Sequence, residues 1–173
     1  APTANLNGIL ATDVQLTPME GSDVSRDLET PYLGAQGTIP TELHQKLNFK
    51  VELVGSGTAG TAPAWGPLLR ACGVAETIVA GTSVTYNPIS DDHESAAAYM
   101  LIEGTRYVLS GMRGTCKLDF SISGIPYLSF EFTGLFNQPS EQARTTPDLS
   151  AFQKPEVVTD RNTPTFTIGG NDF

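Results

Sequence analysis

The chain of 173 residues has the length of one domain with a modest appendage, and its 39% hydrophobic and 17% charged residues suit a packed core. Ten Lys and Arg face 19 Asp and Glu, a formal charge of −9, which excludes tight binding to DNA or RNA through phosphate neutralisation. The longest uncharged run, Leu53 to Leu69, is broken by Gly and Pro and is no membrane helix, and no stretch has the pattern of a signal peptide.

Residues 1–11 are small and weakly patterned and read as a loose leading segment. Thr12 to Leu16 predicts a first strand. Thr17 to His44 lacks sustained periodicity: prolines stand at 18, 31 and 40, and scattered apolar residues alternate with charges. A long arm loop is the expectation there, and loops of that length usually serve binding. "KLNFKVELV" then alternates strictly, with Leu47, Phe49, Val51 and Leu53 on one side and Asn48, Lys50 and Glu52 on the other.

"GSGTAG" breaks that strand, and "GTAPAWGPLLRACG" predicts one short helix between Pro63 and Gly73. Its Trp65, Leu68, Leu69 and Cys72 fall at i, i+3, i+4 and i+7, an apolar stripe for packing against a sheet. Ser83 to Tyr86 predicts a weak strand, and "AAAYMLIEGTRYVLSG" a hairpin turning at Glu103-Gly104. "TCKLDFSISGIPYLSFEFTGLF" predicts a second hairpin, with Leu118, Phe120, Ile122, Leu128, Phe130 and Phe132 inward and Asp119, Ser121, Ser129 and Glu131 outward. Residues 137–173, rich in Pro and Thr, read as a linker or C-terminal extension, with a strand beginning around Phe166 and Ile168. The fold class is therefore mainly β, an antiparallel sandwich or partly open barrel with one flanking helix.

Chemistry is scarce. "DDHE", Asp91 to Glu94, is the densest titratable cluster, but neighbouring side chains in a turn diverge, so a solvated turn is expected rather than a metal site. His44 and His93 have no metal-ligand spacing, no G-x-S-x-G elbow is present, and "GSGTAG" lacks the Lys-Ser/Thr of a phosphate loop. Cys72 and Cys116 read as buried free thiols. No catalytic residue, metal or cofactor is expected.

The ordered blocks "VQLTPMEGSDVSRDLETPYLGA", "GTAPAWGPLLRACG" and "G-x-P-x-L-x-F-x-F-T-G-L-F" resemble the major tail tube proteins of long-tailed bacteriophages, of the non-contractile type. The resemblance spans roughly Asn5 to Phe136. It implies a structural virion protein whose copies join sheet edges into rings, usually hexameric, stacked into a tube around a tape measure protein. Tail terminator and baseplate or tip proteins would cap the ends, and double-stranded DNA would pass through without specific binding or membrane insertion. Assembly would take place in the host cytoplasm. Under that resemblance residues 1–136 form the tube domain. Leu28, Tyr32, Leu33 and Ile39 belong to an arm reaching a neighbouring subunit, and Glu52, Asp119, Ser121, Ser129 and Glu131 are candidates to face the lumen. An acidic lumen would repel DNA, although Lys50 and Lys117 share the same faces. Three other readings remain: the tube of a phage-tail-like bacteriocin, a β-sandwich adhesin or carbohydrate-binding module, and a hydrolase using Asp91, His93 or Glu94.

Overall fold

The computed structural model describes residues 2–26, 28–32, 34, 36–162, 167–168 and 171–172. It is mainly β, with a curled, half-barrel antiparallel sheet and a second small sheet. The main sheet runs β1-β2-β7-β6-β5, where β1 is Thr12–Ser25, β2 Thr38–Glu52, β5 Ala96–Ile102, β6 Thr105–Asp119 and β7 Tyr127–Leu135. β3 (Val74–Val79) and β4 (Ser83–Pro88) make a separate hairpin, and β8 (Ser140–Glu141) pairs β6 beyond the end of β7. Near the C terminus β9 (Thr167–Ile168) pairs β10 (Asn171–Asp172). The strand expected there includes Ile168, while Phe166 lies outside the described residues.

Alternation decides the centre of the sheet. Leu47, Phe49 and Val51 of β2 and Leu128, Phe130 and Phe132 of β7 are all buried on one face. β2 and β7 pair Leu47 with Phe132, Phe49 with Phe130 and Val51 with Leu128, which stacks the three aromatic rings at centroid distances of 5.5–5.9 Å. β6 adds Leu109 and Met112, at 0% and 1% exposure.

Three expectations are corrected. Thr17–His44 is not a loop throughout: β1 continues to Ser25 and β2 begins at Thr38, leaving residues 26–37 as the connection. β2 meets β7 only from His44 onward, so Thr38 to Leu43 pair with β1 alone and form a two-stranded ribbon leaving the sheet. Second, β6 is one strand where two hairpin pieces were expected. Gly111 takes φ 57 and shifts the register between Ser110 and Arg113, so β6 serves β5 with its first half and β7 with its second. Third, Leu118, Phe120 and Ile122 do not line the core. Leu118 shares the core-facing side with Leu128, but β6 ends at Asp119, and these three are 50%, 46% and 92% exposed.

The expected hairpin turn at Glu103-Gly104 is present, both residues having positive φ (47° and 84°) as a two-residue type I′ turn requires. The hairpin of β3 and β4 extends the expected weak strand at Ser83–Tyr86 and adds a partner the sequence did not reveal. At the N terminus a single turn of helix, α1 (Ala4–Asn7), precedes Ile9 and Ala11, which pack against the core cluster. After Phe136 the chain runs back over the domain. Phe152 packs on the core cluster, and Val158 exchanges backbone bonds with the β6–β7 turn, accepting from Ser123 at 2.8 Å and donating to Gly124 at 2.9 Å.

Candidate functional site

The short helix α2 (Gly66–Arg70) is built as the stripe implies, with one refinement: Trp65 sits just before its first turn. Trp65 and Leu68 are buried, Leu69 and Cys72 are half-buried against the same cluster, and Ala71, outside the expected stripe, is also buried. The indole Nε1–H of Trp65 donates to the Val54 carbonyl at 2.8 Å, satisfying both groups in an apolar setting. Its ring packs 5.7 Å from that of Tyr86, whose hydroxyl donates to Glu76 at 2.6 Å. A Cβ on Gly66 would stand 2.6 Å from that hydroxyl, so glycine is what lets the helix approach β3 and β4. The Ala71 carbonyl accepts from Gly114 of β6 at 3.3 Å, fastening the helix to the sheet.

Cys72 and Cys116 are both free. Burial pushes their thiols up, Cys72 to about 12 and Cys116 to about 11, so both are protonated at neutral pH. Asp91 to Glu94 are exposed; Glu94 lies 3.7 Å from the Arg70 Nε, and the His93 carbonyl accepts from Arg113 at 2.9 Å.

The face of the sheet away from the helix is polar. Register brings four of the expected residues onto it: Ser129 lies between Lys50 and Lys117, Glu131 between Asn48 and Thr115, while Glu52 and Asp119 both oppose Tyr127. Ser121 is not among them. It lies past the end of β6 in the exposed turn, where Ser123 adopts φ 61 and the alternation no longer holds.

The lysines of this face are paired. Lys117 meets Asp119 at 2.7 Å and Ser129 donates to the same carboxylate at 2.6 Å. These hydrogen bonds, that from Lys117 first, hold the Asp119 carboxyl below the usual carboxylate range. Lys46 lies 2.7 Å from Glu20, whose pKa it lowers, and Lys50 bonds Asp13 at 2.8 Å, which raises the lysine. The face is a ladder of mixed charge rather than a uniformly acidic wall. Glu20 was missed because β1 was expected to end at Leu16; Asp13 and Lys46 lie within expected strands, but no register between those strands was assigned. A depression of about 360 Å³ on this face is lined by Asp13, Gln15, Asn48, Lys50, Ser129 and Glu131, among others.

The two edges of the sheet differ. β1 carries Pro18, three register shifts and Asp13 at φ 52, features that disrupt continuous pairing. β5, "AAAYMLI", has neither charge nor proline, and its Tyr99 and Ile102 are each 42% exposed. Arg106 of the neighbouring β6 sits 5.3 Å over the Tyr99 ring. Among the described residues, no strand pairs the outer side of β1 or of β5.

Of the expected arm residues, Leu28 and Tyr32 lie in the connection at the ribbon's tip, 50% and 82% exposed. Ile39 lies in β2 opposite Val24, each 51% exposed, and Leu33 is outside the described residues.

No family model matches this chain, and neither a curated protein nor a solved structure matches it. Among the described residues, no helix is long and apolar enough to cross a membrane.

Proposed function

We propose that the chain is the major tube subunit of a long bacteriophage tail, assembling into rings that stack into a channel for DNA delivery. The observation that supports this reading best is the curled, half-barrel sheet: one face is packed, the other is polar with its lysines ion-paired, and its edges β1 and β5 have no strand partner among the described residues. An open half-barrel with two different edges reaches closure by joining edge to edge with copies of itself, a head-to-tail contact that closes by rotation. On this reading the polar face carrying Glu52, Asp119, Ser129 and Glu131 borders the lumen, with its lysines held by carboxylates so that they do not grip passing phosphates. The virion tail is the location. The tape measure, tail terminator and baseplate or tip proteins are the partners. The tube of a phage-tail-like bacteriocin would use the same geometry.

Electron microscopy of the purified chain across a concentration series tests the proposal. Rings with a central opening, most simply of six copies, are the expected result; a chain that stays monomeric even with its tape measure partner would sink it.

A further inference from the structure

We infer that Cys72 and Cys116 are a dithiol placed to close into a disulfide within the chain, a modification site that cross-links the end of α2 to β6 when the protein meets an oxidant. The inference concerns the single chain and stands apart from the tube reading.

The two cysteines are 44 positions apart in sequence, and the fold brings them to one seam. The Ala71 carbonyl lies in the peptide unit that joins it to Cys72, and it accepts from the Gly114 N–H of β6 at 3.3 Å. The end of the helix is therefore fixed against β6 two residues short of Cys116. Period two puts Cys116 on the same side of β6 as Gly114, which has no side chain to stand in the way. That side is the core, because Cys116 pairs with Phe130, whose ring is 1% exposed. Cys72 packs on the same cluster from just past the helix, and both thiols are free. A disulfide needs Cα atoms about 4.4–6.8 Å apart with their side chains converging, an approach that a backbone hydrogen bond between the two elements favours.

Neighbouring groups favour no other use of these thiols. Burial raises Cys72 first and the nearby Cys116 thiol second, while burial and then Asp119 raise Cys116. A nucleophile or a metal ligand works as the thiolate, which every one of these influences opposes. Among the described residues, no group of three or more His, Cys, Asp or Glu could hold a metal.

The same surroundings set the kinetics. Scarce thiolate slows oxidation, and thiols that leave poorly slow the reduction of the bond once it has closed. The pair is thus a one-way structural cross-link rather than a reversible switch. With hydrogen peroxide as the oxidant, one sulfur takes an OH from peroxide to become a sulfenic acid, and the released hydroxide takes up the thiol proton as water. The second sulfur then attacks the first, the S–S bond forms, and the OH leaves with the second thiol proton as another water. Two thiols are oxidised and one peroxide is reduced to two waters.

Dilute full chain, purified as the dithiol and treated with a small excess of hydrogen peroxide, tests this. Samples are quenched with iodoacetamide in urea and mapped by mass spectrometry without reduction. The expected product joins the Cys72 peptide to the Cys116 peptide within one chain, with both thiols disappearing together. Its Tm should rise by roughly 10 °C, because the closed loop restricts the unfolded chain. The folded product should resist glutathione and yield once urea unfolds it. Cys72→Ala should stop Cys116 at the sulfenic acid, captured by dimedone, and lose the gain in Tm; Cys116→Ala should do the same to Cys72. Four results overturn the proposal: a sulfinic acid on one cysteine while the other stays a thiol, a link between two chains on a non-reducing gel, a disulfide that lowers Tm, or a folded chain that remains a dithiol while the urea-unfolded chain oxidises.

Discussion

Replacing Trp65 with Phe removes the indole N–H while keeping an aromatic ring in the site. The Val54 carbonyl, which accepts that bond at 2.8 Å in a buried position, is left without its donor. An orphaned buried carbonyl costs about 1–3 kcal/mol. The lost half of the bicyclic ring leaves about 40 Å³, which at about 24 cal/mol per Å³ of residual cavity adds about 1 kcal/mol. The expected loss is therefore about 2–4 kcal/mol, or a fall in Tm on the order of 10 °C for a chain of this size. Trp65 is the only tryptophan, so far-UV circular dichroism rather than fluorescence must follow urea and thermal unfolding in both proteins. Dilute, unassembled protein keeps the comparison free of association. A loss under about 0.5 kcal/mol, the range of ordinary surface substitutions, would refute the argument that this indole joins the helix to the strand exit.

Gly114→Ala should destabilise by about 1–3 kcal/mol or more, because its Cβ would meet the Glu131 carbonyl oxygen across the ladder; urea midpoints measure it. Asp119 has its pKa lowered from 3.8 in the folded state, so its contribution is present above about pH 4 and is lost as the pH falls through the lowered value. Asp119→Asn should therefore flatten the acid limb of stability below about pH 4, and an unchanged limb would count against the pairing with Lys117 and Ser129. Cys72 and Cys116, raised to about 12 and about 11, should resist iodoacetamide at pH 8 in the folded protein and react once urea unfolds it. Mass spectrometry of the alkylated chain decides this, and rapid labelling of either folded thiol would contradict its burial.

The sequence announces structure where burial is one-sided. "KLNFKVELV" and "IPYLSFEF" alternate because each strand has one face in the core, and their register follows from matching those faces. The ribbon is silent for the opposite reason: with both faces in water, nothing forces Ser22 to Ser25 or Thr38 to Thr41 into alternation, and Pro18 and Pro40 suggest a break. At Leu118, Phe120 and Ile122 alternation misleads, since the pattern continues past Asp119 although the sheet does not. Gly111 hides the unity of β6 by inserting a bulge where the strand changes partner. The helix stripe was legible in Trp65 and Leu68, but the need for Gly66 lies in Tyr86 and Glu76, which only folding brings beside it. In the polar face, four of five expected residues converge because period two holds there. Asp13 and Glu20, which pair the lysines of that face, were not placed there: Asp13 lies in the expected first strand with no assigned register, and Glu20 in its unrecognised continuation.

The order in which the chain leaves the ribosome gives the central pairing a kinetic consequence. β2 joins residues 44–52 to residues 127–135, so its apolar side must wait for most of the domain to be synthesised before Phe49 finds Phe130. Such distant pairing slows folding and prolongs the exposure of strand surface to neighbouring nascent chains. The early hairpin of β1 and β2 covers one edge of β2 in that interval, with a bulged, acidic strand poorly suited to recruiting strangers. The chain thus starts folding with one edge of β2 already covered.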